Sequence, residues 1–243
     1  MGAKKNRKTG DNQMLKNIKI KLENDKINRK KAFEEMHAEY WENFDPIPMA
    51  KMDHYAVEEH IVRMTTGACI LANQDKQIIA LNFANAIIPG GGYAWGANAQ
   101  EESLCRISGL YYSIKEQKAF YRTNRRHIWA DYTDGMIYSE NVPVFRNDAG
   151  QWLDNPLYCN FMTCPAVNRH EAFMFSKSKL NDIMQKRINK IVSFSQQQHP
   201  DIVILGAFGC GAFGNKQDVV LQQFEQAINA YTDGSVQFVF AIP

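Results

Sequence analysis

Pro89-Gly90-Gly91-Gly92-Tyr93-Ala94-Trp95-Gly96-Ala97-Asn98-Ala99-Gln100-Glu101-Glu102 is the stretch on which the reading of this chain turns. It follows an apolar run, Ile78-Ile79-Ala80-Leu81-Asn82-Phe83-Ala84, that reads as a strand. Three consecutive glycines are costly in conformational entropy. A fold keeps them where backbone must pass close to something, and N–H groups in a row form a concavity suited to an anion. After a short spacer come two adjacent carboxylates, at the start of a helix expected over 101–114. A phosphate cradle beside an acid pair points to a phosphorylated sugar held for attack on one of its bonds.

A second glycine-rich loop, Gly206-Ala207-Phe208-Gly209-Cys210-Gly211-Ala212-Phe213-Gly214-Asn215, follows the apolar strand expected over 201–207 and precedes a helix expected over 217–231. Part of it satisfies G-x-G-x-x-G. A dinucleotide site would also need a carboxylate at the end of the next strand to hold a ribose. The next strand, 236–242, carries none, and no G-K-[ST] follows either loop. What remains is a diphosphate-binding loop at a helix N-terminus. Two such loops can clamp one pyrophosphate between them.

The remainder reads outward from these loops. Residues 1–13 are expected to be disordered, and 14–27 suit a helix or a strand. A helix is expected over 29–43, with Phe33, Met36, His37 and Tyr40 on one face, and another near 53–64. Cys69-Ile70-Leu71 and 77–83 read as strands, as do segments near 135–139, 143–145 and 157–164. A clear amphipathic helix is capped by Ser176 and runs to Gln198. Late alternation of strand and helix implies a largely parallel sheet with helices on both faces.

Composition sets broad bounds. The 243 residues suit one large domain, and no apolar run approaches the ~20 residues of a membrane span. Five cysteines without a C-x-x-C pair fit a reducing, cytoplasmic setting. Residues 1–31 hold eleven Lys/Arg against three Asp/Glu. Such a basic segment can steer a polyanion, but it lacks aromatic platforms, and the plainer reading is a solvated, frayed end. The six histidines show no metal-ligand spacing. Cys210 lies near a helix start, as a reactive thiol would, but no histidine pairs with it.

Taken in order, Leu81-Asn82-Phe83-Ala84-Asn85, Pro89–Gly92, Gln100-Glu101-Glu102, Ser108-Gly109-Leu110-Tyr111, Pro143-Val144-Phe145-Arg146 and Gly206–Asn215 resemble the microbial-type poly(ADP-ribose) glycohydrolases, a catalytic branch of the macrodomains. The diagnostic element is a triple glycine, a spacer of six to eight residues, then Gln-Glu-Glu. The resemblance implies an α/β fold: a three-layer α/β/α macrodomain over residues 28–243, with a mixed, largely parallel sheet. Residues 1–27 would form a basic, flexible N-terminal extension. It implies hydrolysis of ribose–ribose O-glycosidic bonds, with Glu102 as catalytic acid and Glu101 on ribose hydroxyls. Gly90, Gly91 and Gly92 would meet the diphosphate, together with Gly206, Phe208, Gly209, Cys210, Gly211, Gly214 and Asn215. Asn85 and Phe213 would contact the distal ribose, and Gln100 would join the substrate contacts. Neither cofactor nor metal is implied. The implied substrates are poly(ADP-ribose) or ADP-ribosylated proteins, with ADP-ribose as product ligand and no role for nucleic acid or membrane.

The chemistry is consistent with one acid/base. Glycosidic cleavage passes through an oxocarbenium-like state, and the leaving oxygen must receive a proton. Two other readings stand beside it. A non-catalytic ADP-ribose-binding module has no need of an acid pair. A hydrolase of a small ADP-ribose derivative, such as an O-acetyl or 1″-phosphate ester, would use the same cradle.

Overall fold

The computed structural model describes residues 2–29, 36–49, 55–127, 129 and 131–243, with residues 2–11, 28 and 29 described by their backbone alone. Helix α1 spans Gly2–Arg29, and β1 (His37–Trp41), β2 (Ile61–Val62), α2 (Thr66–Ala72) and β3 (Ile78–Phe83) follow. Then come α3 (Gln100–Ile107), α4 (Leu110–Ile114), α5 (Lys118–Asn124) and the long strands β4 (Met136–Arg146) and β5 (Trp152–Cys164). The chain closes with α6 (Lys177–Gln197), β6 (Ile202–Leu205), α7 (Gln217–Tyr231) and β7 (Gln237–Ala241).

The strands form one sheet in the order β1-β4-β5-β3-β6-β7-β2. The five strands from β5 to β2 are parallel, and β1 and β4 add an antiparallel edge. Parallel strands are buried on both faces, so their sequences run apolar without interruption. Alternate residues serve opposite cores. Ile79, Leu81, Val203, Leu205, Phe238 and Phe240 pack with α6 and α7, whereas Ile78, Ala80, Ile202, Ile204 and Val239 pack with α2 to α5. The result is the three-layer α/β/α architecture implied by the resemblance. No described helix is long and apolar enough to cross a membrane.

Several local expectations are corrected. Over 29–43 the described part is the end of α1 at Arg29 and then, from residue 36, the edge strand β1 and its flanks, not one helix; Phe33 lies outside the described residues. Met36 and Tyr40 fit a helical period, but Ala38 and Tyr40 fit alternation equally. Pairing of β1 with β4 and the edge-on contact of Tyr40 with Phe120 decide for the strand. Cys69-Ile70-Leu71 belongs to α2, whose N-terminus Thr65 caps by accepting the Ala68 N–H at 3.0 Å. A three-residue apolar run is too short to set a period. Of the helix expected over 53–64, the described part is a 3₁₀ turn at Val57–His60 followed by β2. The helix expected over 101–114 is two, because Ser108 turns extended to bridge Val144.

The N-terminal segment differs most. Its described part is helical from Gly2, where disorder is expected to residue 13, and it packs on the domain through Asn17 and Asn24. The buried face is Asn17, Ile20 and Asn24, at helical spacing, while Leu15 and Leu22 stand exposed. A contact carried by two asparagines is invisible to hydropathy, which is why a flexible extension ending at residue 27 was the natural expectation. Deleting residues 1–27 is therefore expected to leave Arg146 without Glu23 and to unpair polar groups on α3. Deletion opens these groups to water, so each lost bond is worth a net ~1 kcal/mol. Losing the three contacts of Asn17, Glu23 and Asn24, at about 2–4 °C per kcal/mol, should lower the melting temperature by about 6–12 °C. An unchanged melting temperature would make α1 an independent arm.

Candidate active site

Strands β5, β3, β6 and β7 run parallel, so their carboxyl ends share one edge, the place where open α/β sheets bind ligands. Helix α3 starts at that edge. Gln100 fastens it there: its Oε1 accepts the Phe83 N–H at 2.9 Å, and its Nε2 donates to Leu81 O at 2.8 Å. Both ends of the Gln100 amide thus serve the protein. The first turn then presents Glu101 and Glu102, where a carboxylate is favoured by the helix dipole.

Both glutamates are buried. Glu101 Oε2 accepts the Asn85 N–H at 2.8 Å, and its Oε1 accepts from Asn82 Nδ2 at 3.2 Å. Burial pushes its pKa up to about 8; the bonds from Asn85 and Asn82 oppose that rise, and neighbouring Glu102 adds to it. Glu102 is held on both oxygens, by the Gly92 N–H at 2.8 Å and the Ala99 N–H at 3.0 Å. Arg106, one turn further along α3 and also buried, donates to Ala97 O and Ser103 Oγ.

The N–H groups of the triple glycine are taken up by the protein itself. The Gly91 N–H goes to Ile88 O, the Gly92 N–H to Glu102, and the Gly90 backbone supports Glu101. None of Gly90, Gly91 and Gly92 lines the cavity described below. Glycine is required for a different reason. Gly90 and Gly91 take φ of +68° and +54°, and a Cβ on Gly91 would lie 2.5 Å from Glu102 Oε1. The loop passes so close to the acid pair that no side chain fits.

The cavity in front of the pair has a volume of about 860 Å³. Asn85, Gln100, Glu101, Glu102, Gly209, Gly211 and Phe213 line it, as the sequence led one to expect. The N–H groups of Gly211, Ala212 and Phe213 have no acceptor among the described residues, so this loop offers consecutive donors, as does the first turn of α3 at Gln100 and Glu101. Other expected contacts fall elsewhere. Phe208 is fully buried between Phe83 and Phe224, and Gly206 lies under the Ala241 carbonyl. Asn215 is structural: its Nδ2 donates to Val167 O and Gly209 O, and its Oδ1 accepts from Arg169. Gly214, at φ +68°, packs on His170. Cys210 does not reach the cavity, and burial with nearby Asp218 pushes its thiol up to about 11, which removes it as a nucleophile.

Sequence reasoning missed one whole wall. Thr65, Thr66, Asp148 and the α1 residues Lys16 and Asn17 also line the cavity. The polar face of α1 was the available signal. No group of three or more His, Cys, Asp or Glu able to hold a metal ion occurs among the described residues.

Residues 6–147 match the model of the microbial-type PARG (poly(ADP-ribose) glycohydrolase) catalytic domain. Poly(ADP-ribose) glycohydrolase from Deinococcus radiodurans, solved in complex with ADP-ribose, is 33% identical over 75% of each chain, with a TM-score of 0.70. The enzyme from Thermomonospora curvata is 26% identical over 93% of each chain, with a TM-score of 0.80. Its complex with the inhibitor ADP-HPD is 27% identical over 93% of this chain and 92% of that one, with a TM-score of 0.77. No curated protein matches this chain.

Proposed function

The chain belongs to the microbial-type poly(ADP-ribose) glycohydrolase family, and we propose that it hydrolyses ribose–ribose O-glycosidic bonds of poly(ADP-ribose), releasing ADP-ribose. The observation that supports this reading best is the buried pair Glu101–Glu102 in a cavity that is also lined by Gly211 to Phe213 with their free amides. Those amides suit the diphosphate, and Phe213 and Asn85 suit the ribose beside it. Glu102 then gives a proton to the leaving oxygen as the C1″–O bond breaks. Water attacks the oxocarbenium-like carbon and returns its proton to Glu102. Glu101, whose pKa burial raises, sits beside Glu102 in the cavity, placed for a hydrogen bond with a ribose hydroxyl. Substrates would include polymer on ADP-ribosylated proteins. The setting would be cytoplasmic, in keeping with five unpaired cysteines.

Incubation of the purified chain with labelled poly(ADP-ribose) tests the proposal. Free ADP-ribose is the expected product. Intact polymer after prolonged incubation, with ADP-ribose still bound in a titration, would instead mark a binding module.

A further inference from the structure

We infer that Asn24, on the N-terminal helix, is a positioning residue for Glu102: it fastens together the two ends of the segment that carries the acid pair. The inference rests on the glycohydrolase reading for its kinetic test, but not for its structural one.

Asn24 is fully buried, and its amide meets three other parts of the molecule. Its Nδ2 donates to the Tyr93 hydroxyl at 3.0 Å and to Arg106 O at 3.1 Å, with Cys105 O at 3.4 Å. Its Oδ1 accepts from Arg146 Nη2 at 3.2 Å. A buried asparagine with both ends satisfied is a fixed point rather than a sliding contact.

The partners give the contact its meaning. Cys105 O and Arg106 O belong to the last turn of α3, whose carbonyls have no partner within the helix. Leu104 O is met by Ser108 Oγ, and Asn24 supplies the cap for the next two from a distant part of the chain. Tyr93 lies at the other end of the segment, directly after Gly92, whose N–H holds Glu102. One side chain therefore ties the turn that grips Glu102 to the end of the helix that bears it. Asn17 repeats the device one step along α1, donating to Gly96 O at 3.2 Å. Around Asn24, Glu23 pairs with Arg146 at 3.1 Å, and Asp25 accepts from the Tyr112 hydroxyl at 2.7 Å. Both contacts dock α1 beside the tie: Arg146 Nη2 serves Glu23 and Asn24 together, and the Tyr112 side chain also bonds Tyr93.

Three single variants separate positioning from docking. Asn24→Ala removes the whole tie, Tyr93→Phe removes its arm to the turn together with the Tyr93–Tyr112 bond, and Glu23→Gln weakens the pairing with Arg146 while leaving the Asn24 Nδ2 bonds in place. On polymer, kcat is expected to fall by about 10- to 100-fold in Asn24→Ala, the scale of small misplacements of catalytic groups, with KM little changed. Tyr93→Phe should lose kcat in the same direction, and the double variant should lose less than the two single losses combined, because both remove the Asn24–Tyr93 bond. Glu23→Gln should keep wild-type kcat even where its melting temperature drops. Hydrogen exchange at the Gly92 and Ala99 amides, both bound to Glu102, reads the same tie without turnover. It should quicken in Asn24→Ala and Tyr93→Phe and stay unchanged in Glu23→Gln. Unchanged exchange in the first two, or a kcat loss in Glu23→Gln matching theirs, would overturn the inference. If Asn24→Ala does not fold, Tyr93→Phe alone decides by the same two readouts. A wild-type chain inert on polymer would sink the functional reading only, leaving the exchange experiment to judge the tie.

Discussion

Replacing Glu102 by Gln is expected to reduce turnover of poly(ADP-ribose) by ~10²–10⁴-fold, the range for losing a single general acid/base. Affinity for ADP-ribose should hold, because the free amides of Gly211 to Phe213 that suit its diphosphate belong to a different segment from the one that carries Glu102. The substitution also has a structural consequence that geometry defines. Both Glu102 oxygens accept backbone N–H groups, from Gly92 and Ala99. A glutamine keeps one acceptor and turns an NH₂ on the other donor. Leaving one buried N–H unsatisfied costs about 1–3 kcal/mol, so the melting temperature should drop measurably in a still-folded protein. Polymer kinetics, an ADP-ribose titration and thermal unfolding on the same preparation separate these effects. Turnover close to wild type would take Glu102 out of the chemistry and leave it only as the anchor of the glycine loop.

What the sequence made legible follows a physical line. Helices α6 and α7 have clean periods, and the Ser176 cap is a local signal, so their limits come out within a residue or two. The parallel strands are equally plain, because burial on both faces leaves uninterrupted apolar runs. Edge strand β1 is different: five residues with mixed period take their state from a partner more than ninety residues away. The site divides the same way. The acid pair, the glycine loops and their order are visible because each needs particular residue types. Which acceptor takes each N–H is not, since three glycines present the same donors whether these point to a phosphate or to Glu101 and Glu102. Nor is the docking of α1, whose inner face is Asn17, Ile20 and Asn24 rather than an apolar stripe.

Gly91→Ala is the substitution that discriminates between those two directions. If the loop cradled phosphate, a methyl group there would weaken ADP-ribose binding. The geometry predicts a different loss. Gly91 sits at φ +54°, where an L residue costs about 1–2 kcal/mol. Its Cβ would lie 2.5 Å from Glu102 Oε1 and 3.3 Å from Glu101 Oε2, closer than contact allows for the first. The loop cannot simply retreat, because the Gly91 N–H is tied to Ile88 O and the Gly92 N–H to Glu102 itself. The carboxylate must therefore move, by the better part of an ångström. A displacement of that size at a catalytic group is worth about 10²-fold in rate. We therefore expect kcat on polymer to fall by about 10²-fold while the ADP-ribose dissociation constant changes by less than about 3-fold, or 0.65 kcal/mol. The opposite pattern, weakened ADP-ribose binding with kcat intact at saturating polymer, would return the triple glycine to the ligand and make its grip on Glu102 incidental.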